Sequence, residues 1–405
     1  MADPSVMPNE PQVHPVLAAA REILPDVVDL RRRLHRVPEV GLQLPRTQEL
    51  VVEAVRELGL EPRLGDRTSS VVAVIETERD GAPILLRGDM DGLPLTEETD
   101  LPFSSETGDT MHACGHDTHV AMLVGAARVL VEHRSDLPGP VVLMFQPGEE
   151  GYHGARVMLD EGVLDAAGSP VASAFALHIT TRYPSGTINL RPGPLYAAAD
   201  SFRILLRGRG GHASAPHLAL DPIPVAAEIV LALQTIVTRR VDASHAAVVT
   251  VAKIEAGTTT NIIPEVARLA GTIRTLDEEV REEVHASLRR VVTGVAAAHG
   301  LDAEVEIEHG YPVTINDSAF TASVIDVAGA MLGFDRVEIL PTPHMGAEDF
   351  SYVLRRVPGA MAFLGARPDG VDAATAPQNH SNRVVFDEAA MADGIAMLAA
   401  VALNR

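Results

Sequence analysis

Short apolar runs that polar residues do not interrupt recur before residue 180, and they constrain the fold more than any other feature. Ser70–Ile75, Ile84–Leu86, Val141–Phe145 and Ala174–Leu177 carry no charge. Such runs suit strands buried on both faces, because a half-exposed strand alternates apolar with polar residues. Around them, Val16–His35, Thr47–Leu58, Thr118–His133 and Ala155–Leu159 place apolar residues at helical spacing. Strands and helices in alternation predict an α/β domain whose mainly parallel sheet is flanked by helices.

The texture changes after Arg191-Pro192-Gly193-Pro194. The order becomes strand (Ser201–Leu206), helix (Pro222–Arg239), strand (Ala246–Ile254), strand (Ala267–Thr275), helix (Glu278–His299) and strand (Ala303–Glu308). That β-α-β-β-α-β order is ferredoxin-like. Past Tyr311-Pro312 the chain returns to helix, strand and helix, ending in an Ala/Met-rich helix from Asp387. The expected organisation is therefore one α/β domain, residues 1–194 and 312–405, interrupted by a smaller α+β domain over 195–311. A Pro/Gly hinge at Pro192-Gly193-Pro194 suggests closure over a ligand.

Composition removes several classes of function. Lys and Arg number 33 against 55 Asp and Glu, a formal charge of −22, which repels phosphate backbones and argues against nucleic acid as a partner. Lys253 is the only lysine, in Ala-Lys-Ile, so neither a P-loop nor a pyridoxal Schiff base has its residue in a fitting context. Cys114 is the only cysteine, which excludes an internal disulfide and fits a reducing compartment. Met1–Pro15 holds no apolar run, and no stretch approaches a ~20-residue uncharged span. A cytoplasmic chain with no membrane partner is expected.

Polar clusters then fall at the carboxyl ends of the expected strands, where α/β sheets gather their ligands. Arg87-Gly88-Asp89-Met90-Asp91 follows Ile84–Leu86, Gln146-Pro147-Gly148-Glu149-Glu150 follows Val141–Phe145, and His178 follows Ala174–Leu177. Ala113-Cys114-Gly115-His116-Asp117-Thr118-His119 opens a helix. Cys114-x-His116 offers a thiolate and an imidazole, donors for Zn²⁺ and similar ions; the same pair also reads as a buried cysteine beside a surface histidine, or as a nucleophile with its base. Of Glu149 and Glu150, one carboxylate can face a metal while the other takes a proton from water; two acids favouring a helix N-terminus is the plainer reading. Asp91 is either a turn residue or the group that orients a ligand histidine.

Taken together, the clusters resemble a known family. Asp89-Met90-Asp91-Gly92-Leu93-Pro94, Met111-His112-Ala113-Cys114-Gly115-His116-Asp117-Thr118-His119, Gln146-Pro147-Gly148-Glu149-Glu150 and Gly346-Ala347-Glu348-Asp349-Phe350 have the order and spacing of the metal-dependent amidohydrolases of the aminoacylase/carboxypeptidase superfamily. The branch is that of hippurate hydrolases, auxin-conjugate amidohydrolases and N-acetyl-diaminopimelate deacetylases, and the likeness runs from about Leu30 to the last helix.

The resemblance implies hydrolysis of the amide of an N-acyl amino acid, with a metallo-carboxypeptidase or dipeptidase as the alternative. It implies one or two divalent ions (Zn, Mn, Co or Ni) on Cys114, His116, Glu150, His178 and His380, with Glu149 as general base and Asp91 as the orienting aspartate. In the inserted domain, His212 within Gly208–Ser214 resembles the histidine that reaches the tetrahedral oxyanion, often across a dimer interface. Asn261 and Arg274 match positions that hold the substrate carboxylate, and Glu348 is the candidate for a substrate ammonium. The inserted domain would then serve as lid and homodimer contact. Tyr152-His153, where the branch has small residues, and Tyr196, where it has methionine, depart from the pattern and leave the acyl preference open. Of His153 and His178, the latter is favoured as ligand because it ends an expected strand.

Overall fold

The computed structural model describes residues 13–404; the N-terminal segment read above for a signal peptide lies largely outside them. The chain folds into two compact units. One comprises the chain up to Gly193, Asn316–Pro341 and everything from Val353 onward; the other comprises Pro194–Ile315 and Thr342–Tyr352.

The first unit opens with helices α1 (Pro15–His35) and α2 (Pro45–Glu57), then strands β1 (Arg63–Leu64), β2 (Val71–Ile75) and β3 (Ile84–Asp89). Helix α3 (His116–Glu132), β4 (Val141–Gln146), α4 (Gly154–Asp160), β5 (Ser173–Pro184) and β6 (Ile188–Leu190) follow. The second unit carries β7 (Gly193–Tyr196), β8 (Ala198–Arg207), β9 (Gly211–His212), α5 (Pro222–Arg239), β10 (Ala247–Ala256), β11 (Ile262–Ile263), β12 (Val266–Thr275), α6 (Glu278–Ala298) and β13 (Asp302–Glu308). The return supplies β14 (Thr314–Asn316), α7 (Ser318–Leu332), β15 (Val337–Ile339), α8 (Ser351–Leu354), β16 (Gly359–Arg367) and α9 (Ala390–Leu403).

In the first unit, eight strands form one sheet in the order β1-β2-β4-β3-β5-β16-β6-β15. Its centre, β4-β3-β5-β16, is parallel, in keeping with the apolar runs that form β3, β4 and β5. The β1-β2, β2-β4 and β16-β6 pairs are antiparallel, so the sheet is mixed. Helix α3 packs against α1, α9 and β3 and is buried on nearly every side. Two strands outrun their expected ends. β3 continues through Arg87 and Asp89, whose charges are buried as a pair. β5 continues to Pro184, so His178 lies inside a strand rather than ending one. Thr180 and Thr181 look polar in sequence, but β-branched side chains suit a pleated strand, and both are buried.

The second unit is a four-stranded antiparallel sheet, β10-β12-β8-β13, with α5 and α6 packed together on one face. Phe202, Ile204 and Leu206 of β8 and Ala267, Leu269 and Ile273 of β12 alternate into the core beneath them, leaving the other face to polar residues. Asp277 caps α6, accepting from the Glu279 and Val280 amides, a device worth about 1 kcal/mol. Helix α5 is long and apolar enough to cross a membrane by length and composition. Its Val225, Ala226, Ile229, Leu233 and Ile236 belong instead to the unit's core. A short ladder, β9 with β11, was not anticipated from sequence.

Candidate metal centre

The parallel strands of the first unit bring its polar residues to one level. Asp89 is in register with Gln146, and Arg87 with Ala176. His178, two residues beyond Ala176, therefore stands beside Asp89 on the adjacent strand, and Glu149 and Glu150 follow just past Gln146. Helix α3 reaches this rim because Gly88 lies beneath it: a Cβ there would come 3.0 Å from the His119 carbonyl oxygen. Gly115, at φ +87°, turns the chain into α3, and a Cβ on it would collide with Ile179.

The ligand atoms of Cys114, His116 and His178 lie within 4.8 Å of one another, and so do those of Cys114, Glu150 and His380. Cys114 is common to both triads. A further grouping joins His116 to Glu149 and Glu150. Five residues from four separate segments thus converge, and the His380 backbone N–H binds the Ala113 carbonyl at 2.9 Å, fixing the last segment to the Cys114 loop.

The donor set fits divalent cations. His178 Nδ1 is 2.8 Å from the Ile179 carbonyl, which only accepts, so Nδ1 carries the proton and Nε2 presents a lone pair. That Nε2 lies 3.4 Å from Cys114 Sγ. Both ring nitrogens of His116 are buried without a well-formed hydrogen bond, Nε2 lying 3.4 Å from Asp89 and Nδ1 3.4 Å from Asp91; a metal on one of them would remove that nitrogen's share of the cost. Glu150 and His380 approach to 3.1 Å. Burial works against a charged His116, but Asp89, Asp91 and Glu150 outweigh it and lift its pKa to about 10. The field is one that a cation would satisfy.

The same field opposes a free thiolate. Burial, followed by Glu150, Glu149 and Asp89, pushes the Cys114 thiol well up, whereas burial and neighbouring His119 hold His178 well down. A cysteine nucleophile needs an electropositive setting; this setting is the reverse. A bound cation would let the thiol ionise.

A layer of buried partners holds these groups. The Asp91 carboxylate accepts from the Glu149 and Glu150 backbone amides, each at 3.0 Å, and lies 3.4 Å from His116 Nδ1. It therefore holds the backbone of both glutamates and faces the His116 ring. Asp89 pairs with Arg87 at 2.6 Å and with His119 Nδ1 at 2.5 Å. Because the Ile179 amide donates to His119 Nε2 at 2.7 Å, the His119 proton sits on Nδ1 and points to Asp89. Asn379 Nδ2 donates to the carbonyls of Cys114 and Ile179, at 3.0 and 2.9 Å. Asp89, His119 and Asn379 carried no role in the sequence reading. Two spacings held the signal for the first pair: Asp89 is two residues before Asp91, and His119 is one helical turn after His116.

The remaining site residues belong to the second unit. His212 in β9 is paired with Ile262 in β11, and the Ala213 amide binds the Asn261 carbonyl at 3.0 Å, so His212 and Asn261 share one edge of a concavity lined also by Gly210, Gly211 and Glu265. The Ser214 amide donates to His212 Nδ1 at 3.1 Å, which places the neutral ring's proton on Nε2. Arg274 lies at the opposite end of β12, on the face away from the helices. The eight residue steps from Val266 to Arg274 span roughly 25 Å at strand rise, so one chain does not bring Asn261 and Arg274 together. Glu348 Oε1 accepts from the Phe350 amide at 2.9 Å. Of the two departures from the family pattern, Tyr152 packs its ring over Gly41, and Tyr196 packs over Gly346.

The pattern of peptidase family M20/M25/M40 matches residues 85–404. Thermostable carboxypeptidase 1 of Saccharolobus solfataricus is 39% identical over 91% of this chain and 92% of its own length. The N-acetyl-L-cysteine deacetylase of Bacillus subtilis is 38% identical over 85% of this chain and 81% of its own. Among solved structures, a dinuclear metal-binding peptidase of the M20 family from Bacillus subtilis superposes with a TM-score of 0.81 at 33% identity, covering 95% of this chain and 98% of that one.

Proposed function

The chain belongs to peptidase family M20/M25/M40 and is a metal-dependent amide hydrolase, and from that premise we propose that it cleaves N-acyl amino acids into a carboxylic acid and a free amino acid. The observation that carries this reading is the pair of ligand triads sharing Cys114, with the Glu149 carboxylate held beside them through Asp91. Cys114, His116, Glu150, His178 and His380 would hold one or two ions of Zn, Mn, Co or Ni type. Such ions supply Lewis acidity, polarising a carbonyl and acidifying water. Glu149 takes the proton of the attacking water and returns it to the leaving nitrogen, so one carboxylate serves as base and then acid. His212, with its proton on Nε2, donates that N–H to the oxygen on which charge develops. The Arg274 guanidinium grips the substrate carboxylate, for which its planar fork is suited.

These last two roles favour a homodimer. His212 and Arg274 stand near opposite ends of β12, much farther apart than a small N-acyl amino acid reaches, so the two residues of one chain serve different active sites. The open edge of β10, with exposed Val248 and Ile254, and the exposed Ile223 and Leu231 of α5 are the surface we assign to the contact. Leu231→Asp is expected to yield a monomer by light scattering with hydrolysis reduced at least tenfold; a monomer of full activity would defeat the in-trans role of His212.

The reaction class is tested by amine release from hippurate and a panel of N-acetyl amino acids, after chelation and after return of Zn²⁺, Mn²⁺, Co²⁺ or Ni²⁺. Activity should vanish with the metal and return with at least one ion. A carboxypeptidase or dipeptidase is the second reading, favoured by the carboxypeptidase relative. Rates on a dipeptide and its N-acetylated form, side by side, separate the two: the acylated form should be the faster.

A further inference from the structure

We propose that Glu282, His285 and His309 form a second divalent-cation site, of the zinc class, built entirely within the ferredoxin-like unit. Their ligand atoms lie within 4.8 Å of one another, and none of the three belongs to the centre described above. The backbone explains why they meet. Glu282 and His285 are three residues apart on α6, one helical turn, and so share a face. β13 pairs Glu308 with Ser201, which brings the next residue, His309, level with Asp200, and Asp200 is the residue that His285 binds.

That bond is the second observation. His285 is 4% exposed, and its Nε2 lies 2.7 Å from Asp200 Oδ2. A carboxylate flanked by Arg281 at 2.9 and 2.5 Å accepts rather than donates, so Nε2 holds a proton and Nδ1 is the nitrogen left to offer a lone pair to an ion. A histidine whose far nitrogen is tied to a carboxylate is the arrangement that orients metal ligands and raises their basicity. The rings of His285 and His309 lie 4.8 Å apart at 90°. Two imidazoles on one tetrahedral zinc, with Zn–N near 2.0 Å, put their ring centroids about 5 Å apart, so little movement separates the observed pair from a ligating one.

Charge points the same way. Asp200, Glu278 and Glu282 face Arg281, which is spent on Asp200 and Glu278, and Arg274, whose charge also acts on Asp200. Three carboxylates against two guanidinium groups leave the cluster an excess of one negative charge. Two imidazole nitrogens and one carboxylate oxygen suit Zn²⁺ over Mg²⁺ or Ca²⁺, which prefer oxygen alone, and water would complete the fourth position. An ion here would clip α6 to the segment that leaves β13. That segment is already tied down by the Gly310 amide on Asp200 and the Val313 amide on Glu278, both at 2.9 Å.

Equilibrium dialysis of the full chain against micromolar free Zn²⁺, with zinc per chain read by elemental analysis, tests the site. Wild type is compared with His309→Ala and Glu282→Gln, both at exposed positions where folding is not at stake. Wild type should retain one zinc more per chain than either variant. Equal zinc in all three proteins overturns the proposal, and so does a deficit confined to His309→Ala, because Glu282 would then not be a ligand.

Discussion

Replacing Glu149 by glutamine is expected to lower kcat for N-acyl amino acid hydrolysis by roughly 10²–10⁴-fold, the usual contribution of a positioned acid–base group. Glutamine keeps the volume of the buried side chain and the backbone N–H that binds Asp91, so the loop retains its anchor. What it loses is the ability to accept a proton from water and hand it to the leaving nitrogen. The metal content, read by elemental analysis on the same samples, should not change. If kcat falls less than tenfold, the base is another group; if metal is lost together with activity, Glu149 is a ligand and its assigned role is wrong.

Cys114→Ala is expected to have a comparable effect by a different route. Because one sulfur belongs to both triads, its removal weakens every position of the centre at once. The loss in metal affinity should exceed the roughly 10–100-fold typical of mutating a mere supporting residue. Hydrolysis should fall to background at limiting metal, with the fold intact, since the change only shortens a small buried side chain. Cys114 is the sole cysteine, so any thiolate-to-metal charge-transfer absorption of the Co²⁺-substituted protein comes from this residue alone and should vanish in the variant. A variant that keeps both its metal and that absorption would remove Cys114 from the ligand set.

Much of the fold was legible along the chain because its signals are local. Val141–Phe145 is apolar without interruption and is a central strand; the helix expected over Pro222–Arg239 has those bounds. Strand ends were harder to read. Arg87 and Asp89 look like the start of a loop, yet each neutralises the other inside β3, and a pair that cancels its own charge has no signature in a one-residue-at-a-time reading. The β9–β11 ladder joins residues about fifty positions apart through two residues on each side, too short a run for periodicity to show.

The candidate site divides along the same line. The resemblance carried by the motifs, rather than any one residue alone, pointed to Cys114, His116, Glu149, Glu150, His178 and His380, side chains that can supply metal donors and a base. Their mutual distances, the lone pair that His178 presents, and the dual hold of Asp91 on both glutamates depend on the register of β3, β4 and β5 and on the approach of α3 over Gly88. Asn379 is an ordinary amide until folding sets it between the Cys114 and Ile179 carbonyls. The separation of Asn261 from Arg274 by most of the length of β12 likewise follows from the sheet and not from their spacing along the chain. Composition and motif thus decided which chemistry this protein can perform, since donor atoms and charges belong to residues. Which groups act on one another was decided only by the tertiary structure, since lone pairs, burial and charge pairing exist between segments that the sequence keeps apart.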